Sequence, residues 1–118
     1  MKINKSEFEQ FKKDCLYWKD KYGLHDWEVY FEHKKLDGNW AETAWDIQSM
    51  KATIFLSDEY DKTWDTVKNL PKTAHHEILH LLFVPILASI TDDKYRKQTC
   101  IDEHRIINQI LNAHHEKT

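Results

Sequence analysis

The stretch Ala74-His75-His76-Glu77-Ile78-Leu79-His80-Leu81-Leu82-Phe83-Val84 decides how this chain is read. Its apolar residues fall nearly all round a helical period, which marks a central, buried helix. Pro71 suits a first turn with Asn69 or Leu70 before it, although Val67 and Leu70 allow an earlier start within residues 63–71. Pro85 lacks a backbone donor, so the helix is expected to kink or end there.

Toward the N-terminus the period changes to two. Trp27, Val29 and Phe31 alternate with Glu28, Tyr30 and Glu32, as in a half-buried strand. Asp37-Gly38 signals a turn. Residues 40–47 and 52–56 read as two further strands, separated by the polar Gln48-Ser49-Met50-Lys51. Three short strands imply a small antiparallel or mixed sheet, with a meander as its simplest course. Ahead of them, Phe8, Phe11, Cys15, Trp18 and Tyr22 recur at helical spacing. Ser6 with Glu9 offers a capping box, and Gly23 a left-handed stop. Beyond the central helix, Thr91-Asp92-Asp93 caps a last helix through Ile101, Ile106, Ile107, Ile110 and Leu111. The class is α+β: an N-terminal helix, a small sheet and two helices. With 118 residues, 1–118 is one domain.

Charge narrows the function classes. The 17 basic and 20 acidic residues are scattered and the net charge is −3. No basic stripe could neutralise a phosphate backbone, so no nucleic-acid partner is expected. The longest apolar block, residues 78–90, is broken by His80, Pro85 and Ser89 and is too short for a bilayer. The N-terminus shows no secretory pattern. Cys15 and Cys100 are expected as reduced thiols, which places the domain in the cytoplasm, a monomer by default.

His76-Glu77-Ile78-Leu79-His80 fits HExxH. Composition alone gives roughly 0.04 such matches in a chain of this length, so the helical context has to carry weight. On a helix, residues four apart lie about 40° apart around the axis, and both imidazoles project from one face. That spacing suits two positions of a tetrahedral zinc site. Glu77, about 100° further round, can stand beside a metal without ligating it and act as general base. Two histidines and a carboxylate on a buried helix are costly without a partner, and a metal supplies one.

A third protein ligand is expected from the last helix. Glu103 falls near the middle of its apolar stripe, within about 60° of Ile106, Ile107 and Ile110. A carboxylate there is rarely buried unless paired or metal-bound. Glu103 is the favoured ligand, His104 the second candidate, and a pairing of Glu103 with Arg105 or Lys97 the plain alternative.

The layout resembles the minimal zincin core of SprT-like and phage metallopeptidases. Glu103, 23 residues after His80, resembles the gluzincin arrangement. The longer metzincin motif is absent, because Phe83 and Ile86 stand where it needs Gly and His. The gluzincin ExxxD continuation is absent too, since Ile107 stands four residues after Glu103. The resemblance implies a zinc metalloendopeptidase acting on a peptide or protein. His76, His80 and Glu103 would hold Zn2+, water would take the fourth position, and Glu77 would relay the proton. It also implies a substrate-binding edge strand, matched to residues 52–56, and an oxyanion stabiliser, for which Tyr60, Tyr95 and His104 are candidates.

Other histidines invite plainer readings. His75 is expected to be solvated or to support the ligands, and His114-His115-Glu116 to be a frayed polar tail. The tryptophans at 18, 27, 40, 45 and 64 are expected mostly in the core. Three further functional readings stand beside the peptidase. One is a zinc-stabilised protein-binding module without turnover, marked by a closed fourth position or a buried Glu77. Another is a zinc hydrolase of a non-peptide amide, and the last a metal-free domain whose motif is accidental.

Overall fold

The computed structural model describes residues 2–59 and 69–115. Helix α1, Lys5–Lys21, is capped by Asn4, whose side chain accepts from the Glu7 backbone N–H while Glu7 reaches back to the Asn4 N–H. The capping box therefore lies two residues earlier than Ser6 and Glu9 suggest. Asn4 can take the extended backbone a cap requires, whereas Ser6 already sits inside the first turn. At the other end Gly23 has φ +70°, its N–H bonds to Asp20 O, and the Leu24 N–H bonds to Lys19 O. This is a Schellman stop, which needs a residue without a Cβ penalty. Phe11 and Cys15 are fully buried, and the Cys15 thiol contacts Ala74 O at 3.8 Å.

Strands β1 (Glu28–Lys34), β2 (Ala41–Asp46) and β3 (Lys51–Ser57) form one mixed sheet in the order β1-β3-β2. β1 pairs parallel to β3, and β2 pairs antiparallel to it. The meander is corrected: the chain leaves β1, skips one strand position, and returns through the β2–β3 hairpin. β3 has the character of a central strand, with Ala52, Ile54 and Leu56 buried and every residue after Lys51 at least half-buried. Residues 52–56 are thus central, and the edges belong to β1 and β2.

Register determines which side chains meet the helices. Phe31, Ile54 and Thr43 lie in one row across the sheet, between the row Val29, Ala52 and Trp45 and the row His33, Leu56 and Ala41. Thr43 is therefore the one polar residue of β2 on the core face. A slip of one residue would replace it with Glu42 or Ala44.

Helix α2, Leu70–Ser89, starts from Asn69, whose side chain accepts from Lys72 N, with Pro71 in the first turn. The earlier start suggested by Val67 lies outside the described residues. The helix does not end at Pro85 but continues to Ser89. Proline removes only its own N–H, and the flanking residues Val84 and Leu87 keep this last stretch packed. Helix α3, Asp93–His115, begins at Asp92, whose side chain accepts from Lys94 N. It buries Glu103, Ile107 and Leu111 against α2, whereas Ile101 and Ile106 are exposed. The expected stripe is narrower because α3 packs mainly on α2 and reaches α1 only near its end, where His114 and His115 meet Trp18.

The main core joins α1, the sheet and α2 through Phe11, Ile54, Leu56, Ile78 and Leu81. Leu79, Ile107 and Leu111 form a smaller cluster between α2 and α3. Trp27 is buried, Trp18, Trp40 and Trp45 pack against the main core, and Trp64 lies outside the described residues. No helix among the described residues is long and apolar enough to cross a membrane.

Candidate metal centre

The buried helix α2 presents His76 and His80 on one face, with Nε2 atoms 3.0 Å apart. Two neutral imidazoles at this distance either share a hydrogen bond, one nitrogen donating to the other, or turn both lone pairs toward one ion. From α3, His104 brings its ring to 5.0 Å from that of His80 and 5.8 Å from that of His76. Each of the three histidines has a donor nitrogen within 4.8 Å of the others, the arrangement of a possible metal site.

Hydrogen bonds fix two of these rings. His80 Nδ1 donates to Glu103 Oε2 at 3.2 Å, and His104 Nδ1 donates to Cys100 O at 2.9 Å. In the neutral form both then carry a bare Nε2, the tautomer a metal requires. Glu103, buried at 4% exposure, is thus seated on the ring nitrogen of His80 remote from the His76 contact. Its other oxygen lies 3.9 Å from His104 Nδ1. The group with converging donor atoms is His76, His80 and His104, and Glu103 stands behind two of them.

The donor set fits zinc. Zn–N bonds of about 2.05 Å at tetrahedral angles separate two nitrogens by about 3.3 Å, close to the 3.0 Å between His76 and His80. His104, half-exposed, has room to close the remaining gap. The two helix histidines are tuned in opposite directions. Burial pushes His76 down to about 4, helped by the charges of His80 and His104. Burial would also lower His80, but the Glu103 hydrogen bond and the charges of Glu77 and Glu103 outweigh it and raise the value.

Glu77 is 6% exposed and accepts from Thr43 Oγ1 at 2.8 Å. Burial raises its pKa, opposed by His80 and the Thr43 hydrogen bond. A cleft opens over these groups in two arms of about 720 and 520 Å³. Both arms are lined by His76, Glu77, His104, Asn39 and Ala41, so they meet at the histidines and run along β2. Their volumes lie in the ordinary range for ligand sites, about 300–1,000 Å³. Compared with protein-family models, curated proteins and solved structures, the chain matches none.

Two expectations about the remaining histidines are corrected. His75 is fully buried, stacked on Trp18 at 3.6 Å, with Nε2 2.6 Å from Tyr22 Oη and Nδ1 2.9 Å from His115 Nε2. The tail histidine His115 is therefore a partner of α2 rather than frayed. A stacking ring and two polar partners repay the burial of an imidazole, which solvent would otherwise hold. Among the oxyanion candidates, Tyr95 is 64% exposed, His104 belongs to the histidine group, and Tyr60 lies outside the described residues. Thr43 escaped the sequence reading, although the alternation of Ala41, Thr43 and Trp45 could have placed it on the helix-facing side.

Proposed function

We propose that this domain is a minimal zincin-like zinc metallopeptidase that hydrolyses peptide bonds. His76, His80 and His104 hold the metal, and Glu103 orients His80 as a supporting carboxylate. One observation carries the reading: three histidine donor atoms converge at the junction of a two-armed cleft that Glu77 also lines. Zinc there supplies a Lewis acid that acidifies water and polarises a carbonyl.

The chain's own groups do the rest. Glu77 accepts the proton of the attacking water and passes it to the leaving amine. Thr43 holds one carboxylate oxygen and leaves the other to take the proton. Burial raises the proton affinity of Glu77 toward neutrality, the direction a general base needs. The substrate lies extended along β2, the edge strand beside α2, whose outer backbone groups pair with no other described strand and can take up a peptide. Two free thiols, Cys15 and Cys100, accord with a reducing, cytoplasmic setting.

A second reading has its own observation. A Glu77 that is 6% exposed and tied to Thr43 suits a zinc-stabilised binding module without turnover. Metal analysis and a peptide-library digest separate the two. Wild type and Glu77→Gln should each hold about one zinc per chain, and only wild type should cut. Zinc at that level with no cleavage by wild type would favour the binding module. No zinc at all would remove both.

A further inference from the structure

The cleft runs along β2, and strand β1 is the opposite edge of the sheet. Pairing with β3 uses only half of the backbone groups of β1. The Glu28 N–H bonds to Met50 O, and Lys34 O accepts from the Asp58 N–H. The N–H and C=O of one residue point to the same side of a strand, and the side alternates along the chain. Residues 28, 30, 32 and 34 therefore face β3. Val29, Phe31 and His33 turn their backbone groups to the open side, where no other described strand meets them.

The side chains show the same open edge. On the helix-facing side Ile54 is fully buried, whereas Phe31 beside it in the register is only half-buried. Val29 is likewise half-buried beside the buried Ala52. On the other side Glu28, Tyr30, Glu32 and Lys34 are all exposed. Lys51 lies 3.7 Å from Glu28 and stands between it and Asp46 in the register, so a cation beyond Glu28 would continue a row of alternating charge. Lys34 rests over the Phe55 ring at 4.5 Å, an exposed contact that its flexible stem can exchange for an ion pair.

Open edges commonly carry charges that block unplanned pairing, and here the charges admit one partner in one register. A second copy of β1, laid antiparallel about a two-fold axis at Phe31, exchanges backbone hydrogen bonds between Phe31 and Phe31 and between Val29 and His33. Glu28 then falls opposite Lys34 of the second copy, and Tyr30 opposite its Glu32, at both ends of the pair. These are the non-hydrogen-bonded positions, where facing side chains come closest. Moving the axis by one residue keeps the backbone bonds in phase but sets Glu28 against Glu32, or Glu32 against itself. We propose that this chain forms a two-fold dimer by antiparallel pairing of β1 with β1 of a second copy, centred on Phe31. The two sheets join into one, with the histidine clefts at its far edges and both β2 strands open. An interface made of one strand edge is small, so its Kd should be on the order of micromolar. The pairing stands whether or not the cleft turns over a substrate.

Sedimentation equilibrium of the full-length chain over a concentration series measures the dimer, and amide exchange locates it. The amides of Val29, Phe31 and His33 should gain protection as the concentration rises, while those of Tyr30 and Glu32, which face β3, keep theirs. Glu28→Lys and Lys34→Glu should each weaken the dimer about tenfold, because each sets like charges opposite one another at both ends. Mixed in equal amounts, the two variants should recover the wild-type affinity, since position 28 of one then faces the opposite charge at position 34 of the other. Circular dichroism checks that each variant is folded, and the wild-type exchange pattern needs no variant at all. A chain that stays monomeric at every concentration overturns the pairing. So does a dimer indifferent to both charge reversals, a mixture no tighter than its components, or protection gained elsewhere than at these three amides.

Discussion

Thr43 and Glu103 shape the site without belonging to the histidine group, and each makes a separable prediction. The Thr43 hydroxyl holds Glu77 at 2.8 Å, so Thr43→Val should lower kcat about tenfold, the loss of one hydrogen bond of about 1–1.5 kcal/mol. Zinc content and KM should hold steady, and Thr43→Ser should restore the rate. A Thr43→Ser as slow as Thr43→Val would mean the methyl, and hence packing, matters instead. Glu103 and His104 divide the support and ligand roles. Removing an orienting carboxylate typically weakens a metal about 10–100-fold, whereas removing a ligand should cost more. Competitive chelator titration should therefore rank His104→Ala below Glu103→Ala in zinc affinity, and the reverse order would make Glu103 the ligand. The sequence made His76, Glu77 and His80 legible because one helical period fixes their relation. It also exposed Glu103 as an acid on an apolar stripe. Which of Glu103 and His104 touches what depends on how α3 is rotated against α2, and no period within one helix encodes that.

Between elements, His75 ties α1, α2 and α3 together through Trp18, Tyr22 and His115. Burial, then the neighbouring charges of His115, His114 and His76, pushes its pKa from 6.5 down to about 4. His76 is pushed down to about 4 as well. Between those values the unfolded chain holds protons that the folded chain refuses. The contribution of these two histidines to the stability of the metal-free protein should therefore be fully present above about pH 6.5 and fall as the pH drops toward 4, opposed in part by His80, whose raised value acts in the other sense. Urea unfolding at pH 7 and pH 5 in chelator measures the slope, and His75→Phe should flatten it in part, because His76 still contributes. An unchanged slope in His75→Phe would remove His75 from this account. Element identities were legible from the shift between periods two and 3.6. The order of the strands was not, because consecutive short strands are compatible with either a hairpin chain or a skipped position. The clue lay in Ala52-Thr53-Ile54-Phe55-Leu56-Ser57, whose lack of exposed positions suits a strand covered on both sides.

Across the whole molecule the core is unevenly divided. α1, the sheet and α2 share a large cluster, whereas α3 docks on α2 through Leu79, Ile107 and Leu111 with Phe83 and Ile110 beside them. Such a small cluster gives α3 little apolar burial of its own, so its docking depends on the polar links His80–Glu103 at its middle and His75–His115 at its end, and on the rings of His114 and His115 beside Trp18. A metal shared by His76, His80 and His104 would add a third link, and it would act on this joint alone. Zinc at about 100 times its Kd should stabilise the fold by about 2.7 kcal/mol, which for a chain of this size raises Tm by about 10 °C. Local stability should change unequally, since regions open in separate cooperative units. On adding chelator, amide exchange should quicken across α3 and the facing turns of α2, while α1 and the sheet keep their protection. Uniform quickening everywhere, or none, would show that these histidines do not join α3 to the rest through an ion, and the metallopeptidase reading would lose its structural basis.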